Sequence, residues 1–147
     1  SRLDQDKNVF VVVGDGPERN KWEQLAYELN TNVIFTGRRE GHELNAWYNV
    51  ADIFVLPSHL EPFGAVTNEA LLAGCYALVS NKAGSSCLIE EGVNGYTFSP
   101  MDVERLSSLM QEVSYLPIEH DDSGLKKNKM SMLYNTYMNL LISKLNA

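Results

Sequence analysis

The feature that most constrains the fold is a set of short, unbroken apolar runs, each closed by a turn and followed by a helical pattern. The first lies in NVFVVVGDGP, residues 8–17. No polar residue alternates through FVVV, so the run reads as a strand covered on both faces rather than a half-solvated one. Gly14 and Gly16 allow a tight turn, and Pro17 suits the first turn of a helix. Residues 18–29 then carry Trp22, Leu25, Ala26 and Leu29 at helical spacing.

The alternation continues. NVIF at 32–35 reads as a second strand, with TGRREG as its turn. HELNAWYNVA at 42–51 reads as a short helix with Leu44, Trp47 and Tyr48 on one face. DIFVLPS at 52–58 is a third strand, AVTNEALLAGC a helix, and YALVS at 76–80 a fourth strand. A turn-rich stretch follows, with a short helix expected around 86–90 and a strand at 96–98. Gly92 and Gly95 are expected to supply positive φ in a hairpin-like turn. Asp102 is the expected N-cap of an amphipathic helix over 102–113. Residues 118–128 are charged and aperiodic and read as a loop. Residues 129–146 carry Met132, Leu133, Tyr137, Leu140 and Leu141 and read as a last helix packed on the body.

Apolar strands alternating with helices define an α/β fold. The expectation is an open parallel, Rossmann-like sheet with helices on both faces, in one domain of 147 residues. Ligands in such folds sit at the carboxyl ends of the strands. Three turns lie there: 14–17, 36–41 and 57–64.

Composition excludes several functions. The net charge of −7 argues against nucleic acid, which needs a basic face, but permits a small anionic ligand held at a helix start. No apolar run approaches the roughly 20 residues of a membrane span, and no leader is expected. Cys75 and Cys87 form no CxxC or Cys/His cluster. They read as small apolar residues in a reducing, cytoplasmic setting. His42, His59 and His120 share no metal spacing, so neither metal nor cofactor is expected.

Four stretches are candidates for chemistry, each with a plainer alternative. Gly14 and Gly16 either admit a phosphate or sugar close to the backbone or simply make the turn. Arg38 and Arg39 either meet a base or phosphate or form a solvated surface. AGSS at 83–86 follows a strand end and either contacts a phosphate or sugar or is purely structural. HLEPFGAVTNEALLAGC at 59–75 is the densest. Gly64 opens a helix whose free N–H groups and dipole favour a diphosphate at residues 64–67. Glu69 can accept two hydroxyl hydrogen bonds, as a ribose diol requires. Glu61 precedes the turn and can face whatever the diphosphate carries. The alternative makes Glu61 a surface residue and Glu69 a dipole-favoured helix glutamate.

Taken in order, these pieces resemble the C-terminal, donor-binding domain of the retaining GT-B glycosyltransferases, glycosyl transferases group 1. The resemblance runs over about residues 9–110. Its most specific part is Glu61, seven intervening residues and Glu69, with PFG between them, after ADIFVLPS. It implies that Glu69 binds the ribose and that Glu61, the catalytic candidate, contacts the transferred sugar. Phe63, Gly64, Ala65 and Val66 would hold the diphosphate and sugar hydroxyls. Arg38 would lie by the nucleobase, and Gly14 and Gly16 would border the cleft. The implied partner is a nucleotide-sugar donor, with no bound metal.

Three departures stand out. The family's GG-then-Glu pattern is replaced by Ala83-Gly84-Ser85-Ser86-Cys87. Arg2 and Lys7 resemble its diphosphate-gripping Arg…Lys pair, either as a remnant or by coincidence. Yet the first strand-helix unit is missing, because a parallel crossover needs a dozen or more residues before Val9. The N-terminal acceptor-binding domain is absent from this sequence; it is the expected second partner and the route of any peripheral membrane association. Two other classes stay in view. One is a glycoside hydrolase pair of carboxylates. The other is a non-catalytic nucleotide-sugar-binding or regulatory module on the same fold.

Overall fold

The computed structural model describes residues 8–117. Arg2, Lys7, the expected 118–128 loop and the expected 129–146 helix lie outside the described residues. The chain is α/β, with parallel strand pairing throughout its named strands, as the alternating pattern implies. It divides into two compact units after Leu44.

The first unit holds strand β1 (Phe10–Val13), helix α1 (Arg19–Glu28) and strand β2 (Val33–Gly37). β1 and β2 pair in parallel from Phe10 opposite Val33, with an irregularity between Val12 and Val13. The expectation that β1 is covered on both faces is not met. Val11, Val12 and Val13 are 37%, 45% and 36% exposed. Two strands and one helix supply too few layers to bury both faces of a sheet. The apolar stripe of α1 is likewise open, and none of its residues is buried. Helix α1 also starts two residues later than Pro17.

Helix α2 (Gly41–Val50) leads into the second unit. There the strands β3 (Ile53–Leu56), β4 (Tyr76–Ser80) and β5 (Gly95–Phe98) form a parallel sheet in the order β3-β4-β5. Helix α3 (Ala65–Leu72) connects β3 to β4, and helix α4 (Val103–Val113) follows β5. The alternation of β4 builds both halves of the core. Ala77 and Val79 face one side, with Leu71, Ala83 and Leu88. Leu78 faces the other, with Phe98, Leu109 and Val113. Here the doubly covered strand does occur: Ala77, Leu78, Val79 and Ser80 are all fully buried. Burying a leucine-sized side chain contributes about 1.5–3 kcal/mol, so Leu78 and Leu109 are principal anchors of this unit.

Local signals set the element ends. Asp102 caps α4, its carboxylate accepting from the Arg105 N–H at 2.9 Å. Helix α3 stops at Leu72 rather than running to Cys75, because Gly74 turns left-handed at φ +81°. The N–H groups of Gly74 and Cys75 then bond back to Leu71 and Ala70, closing a Schellman motif. Cys75 is buried, its thiol donating to the carbonyls of Tyr48 and Ala51 at 3.2 Å. Cys87, in contrast, is exposed. Gly92 has the expected positive φ, but Gly95 does not. Gly95 is needed because a Cβ there would strike the Ala77 carbonyl of the neighbouring strand. Strand β5 pairs in parallel with β4, so no hairpin forms.

Candidate functional site

The candidate site is built where β3 ends. Chain leaving Leu56 extends the β3–β4 pairing beyond the strands themselves, and Glu61 bridges Ala83 in parallel. The Gly84 N–H donates to the Glu61 carbonyl at 2.7 Å, and the Glu61 N–H reaches the Lys82 carbonyl at 3.4 Å. Gly64 is the N-cap of α3, at φ 71° and ψ 44°. That left-handed conformation favours glycine. Space demands it too, since a Cβ would collide with the Ser85 side chain. Gly84 is fixed in the same way: a Cβ there would strike the Pro62 carbonyl. The two turns, 61–64 and 82–85, are thus interlocked through two glycines.

The first turn of α3 has distinct donors. One Glu61 carboxylate oxygen accepts from the Phe63 and Gly64 N–H groups, at 3.4 and 3.2 Å. The Thr67 N–H bonds to the Gly64 carbonyl at 2.9 Å. Among the described residues no acceptor is found for the N–H groups of Ala65 and Val66, two donors of the kind every helix start leaves over. With the helix dipole they favour an anion. Phe63 is 84% exposed beside them.

Glu69 sits further along α3, exposed to solvent. Its carboxylate stands beside the hydroxyl of Tyr48 on α2. Burial first, and then the charge and hydrogen bond of Glu69, push the Tyr48 hydroxyl well above its usual pKa. Tyr48 therefore stays neutral beside Glu69. A carboxylate has about four acceptor positions, so several stay open for a diol.

The AGSS segment departs from expectation in one respect. Ser85 is only 4% exposed, and its hydroxyl pairs with that of fully buried Thr67 at 2.8 Å. It does not face a ligand. Ala83 is also buried, in the core beneath the sheet. This hydroxyl pair was missed in the sequence, where eighteen positions separate its members and no local pattern links them.

In the first unit, Gly14 has φ +147°, and a Cβ on Gly14 or Gly16 would meet nothing within 4 Å. The backbone there is open to close approach. Arg38 is highly exposed and ion-paired with Glu40, and Arg39 pairs with Glu43 at 3.4 Å. These residues, with His42, line a shallow open depression of mixed charge. Arg19, not singled out from the sequence, is the more anchored cation. Its guanidinium bonds Glu23 at 2.7 Å, approaches Asp15 at 3.6 Å and donates to the Phe35 carbonyl at 3.4 Å. The hydrogen bond to Glu23 is the main cause raising its pKa. The available signal was its place directly after GDGPE, at the start of α1.

Among the described residues no three His, Cys, Asp or Glu side chains gather as metal ligands. No helix among them is long and apolar enough to cross a membrane.

A parallel α/β chain with a glycine-capped helix start flanked by two carboxylates belongs to the Rossmann-like class that binds ligands at strand ends. The structural neighbours are GT-B glycosyltransferases. The profile of the glycosyl transferases group 1 family matches residues 1–129, and the chain belongs to that family. An uncharacterized glycosyltransferase of Methanocaldococcus jannaschii is 35% identical over 107 residues, covering 71% of this chain and 27% of that protein. A GDP-mannose-dependent alpha-mannosyltransferase of Corynebacterium glutamicum is 39% identical over 93 residues, covering 63% of this chain and 22% of that protein. Among solved structures, the sucrose-phosphate synthase of Thermosynechococcus elongatus aligns with a TM-score of 0.67 at 25% identity, over 93% of this chain and 38% of that one. The C-terminal domain of a glycosyl transferase group 1 family protein from Francisella tularensis aligns at 0.68 with 23% identity, over 93% and 69%; at that identity the likeness is one of fold. The chain thus spans about a quarter of the two curated relatives named here.

Proposed function

We propose that this chain is the donor-binding domain of a retaining hexosyltransferase. The full-length protein moves a sugar from a nucleotide diphosphate sugar to an acceptor hydroxyl, in polysaccharide, glycolipid or glycoconjugate synthesis. The observation that carries the reading is the start of α3, where the N–H groups of Ala65 and Val66, between Glu61 and Glu69 in sequence, have no acceptor among the described residues.

The chemistry follows from charge. When the bond between the sugar and the diphosphate breaks, negative charge grows on the diphosphate and positive charge on the anomeric carbon. The Ala65 and Val66 N–H groups and the α3 dipole stabilise the first without reorganising, as an oxyanion site does. Glu61 positions the sugar and stabilises the second. Glu69 accepts from the ribose hydroxyls. Backbone donors suffice in this scheme, so no metal takes part in it. The acceptor comes from an N-terminal domain, and the chain alone binds donor without turning it over.

The alternative of a non-catalytic module drew on the altered 83–87 segment. Packing accounts for Ala83, Gly84 and Ser85, so these three positions do not favour it.

The division of labour is tested by titrating the chain with UDP, GDP and their hexose conjugates. Glu69→Ala is expected to weaken the bare nucleotide diphosphate about 10- to 100-fold, the loss of one or two charge-assisted hydrogen bonds. Glu61→Ala is expected to spare the bare nucleotide and abolish the extra affinity contributed by the sugar. Equal losses of nucleotide affinity in both variants would overturn the assignment.

A further inference from the structure

We propose that Thr67 and Ser85 are positioning residues, a buried hydroxyl pin through which the 82–85 turn sets the Glu61 carboxylate. The functional half of this inference rests on the reading of Glu61 as the sugar contact.

Glu61 is held from three directions. Its backbone is fixed on both sides by the neighbouring turn, through the Gly84 N–H at 2.7 Å and the Lys82 carbonyl at 3.4 Å. Its carboxylate also accepts from the Phe63 and Gly64 N–H groups. The backbone hold depends on how closely the 82–85 turn approaches the start of α3. That approach is set by contacts that leave no slack: Ser85 against Gly64, and Pro62 against Gly84. The one side-chain hydrogen bond recorded across this contact joins Thr67 to Ser85, at 2.8 Å and with both residues buried. Thr67 is also tied to the cap, its N–H bonding to the Gly64 carbonyl at 2.9 Å.

The physical argument concerns direction. Carboxylate bonds of 3.2 and 3.4 Å are weak, so they cannot hold the Glu61 side chain against a displaced turn. A buried hydroxyl stripped of its partner loses its only compensation for desolvation. Removing either hydroxyl therefore moves the turn to relieve the orphan, and the Glu61 carboxylate moves with it. Neither hydroxyl need touch the donor.

The experiment follows the amide resonances of Phe63 and Gly64 in the nitrogen-15-labelled 147-residue chain. In the otherwise wild-type chain Glu61→Gln is expected to shift both, because it removes the charged acceptor of their hydrogen bonds. Thr67→Val keeps the shape, removes the hydroxyl, and is expected to lose that response. Thr67→Ser keeps the hydroxyl and is expected to retain it. Should Thr67→Val fail to fold, Ser85→Ala carries the same expectation. A wild-type response in Thr67→Val or Ser85→Ala overturns the proposal, as does equal loss in Thr67→Ser and Thr67→Val.

A second arm compares UDP with UDP-glucose and GDP with GDP-mannose. Thr67→Val is expected to reduce the sugar-dependent increment, taken relative to the same variant's affinity for the bare nucleotide, about fivefold, one hydrogen bond's worth. It is expected to add nothing in a Glu61→Ala background. If the amide response behaves as stated but Glu61→Ala leaves the increment intact, the sugar assignment of Glu61 falls and the positioning role of the hydroxyl pair stands.

Discussion

Replacing Gly64 by alanine tests the interlock of the two turns, and Gly92→Ala provides its internal control. Both glycines have nearly the same backbone, φ +71° at Gly64 and +77° at Gly92. The left-handed conformation costs an L-residue about 1–2 kcal/mol, and this term is common to both. What differs is space. At Gly92 the nearest atom to a new Cβ is the Tyr96 hydroxyl, at 3.6 Å, an ordinary contact. At Gly64 the new Cβ meets both side-chain heavy atoms of Ser85, itself pinned to Thr67 and unable to swing away. Forcing an extra carbon into a packed contact costs about 1–3 kcal/mol more. Gly92→Ala is therefore expected to destabilise by about 1–2 kcal/mol, and Gly64→Ala by about 2–5 kcal/mol, a large share of the 5–15 kcal/mol typical of a domain. Urea unfolding followed by the fluorescence of Trp47, at the edge of the second unit, reads both values. Equal destabilisation would show that Ser85 yields freely and that the turns are not interlocked. Gly64→Ala is further expected to lose nucleotide binding, and Gly92→Ala to keep it.

Three further outcomes follow from particular contacts. Burial, before any charge effect, pushes the Tyr76 hydroxyl up from 10.0 to about 12. A raised folded pKa contributes stability that is complete below about pH 10 and lost as pH rises through about 12. Unfolding midpoints are thus expected to fall steeply over that window, and Tyr76→Phe to flatten the fall; an unchanged profile in the variant would refute the assignment. Asp102→Ala removes the one recorded side-chain cap of α4 and is expected to cost about 1 kcal/mol in the same urea assay, with Asp102→Asn nearly neutral. Arg38→Ala tests the expected nucleobase loop. Since Glu40 already pairs with this exposed guanidinium, stability is expected to change by less than about 0.5 kcal/mol, and any change in the preference between UDP and GDP reports a base contact.

Most elements of both units were legible in the sequence, because alternation and helical spacing are local properties. Strand β4 was read with its exact bounds, and Asp102 as a cap, since both depend on a few neighbouring residues. What escaped depends on partners distant in sequence. The run FVVV and the run YALVS look alike as apolar segments, yet the first leaves three valines exposed while the second is buried nearly throughout. The pattern specifies a strand but not how many layers cover it. Gly95 shows the same limit. A glycine after an asparagine suggests a turn, whereas this one makes room for the Ala77 carbonyl of a strand eighteen positions earlier. Glu61, Gly64 and Glu69 stand out as candidates in the sequence because the turn and helix start are contiguous. Ser85 reads from sequence only as part of a candidate phosphate or sugar contact, because its packing partner, Thr67, lies in another element.

The 83–85 segment gains a physical explanation from these contacts. The family pattern places two glycines after this strand, and this chain keeps only the second of the positions. Sterics explain why one is enough to seat the turn. A Cβ at position 84 would strike the Pro62 carbonyl, so glycine is obligatory there. Position 83 has no such obstacle, and the Ala83 methyl fills the core between Leu71, Val79 and Leu88. Glycine at 83 would forfeit that packing and add backbone entropy to the unfolded chain. Serine at 85 then supplies a hydroxyl where the fully buried Thr67 requires one. Over 83–85 the sequence is therefore a self-consistent set of three contacts that seats this turn against the start of α3.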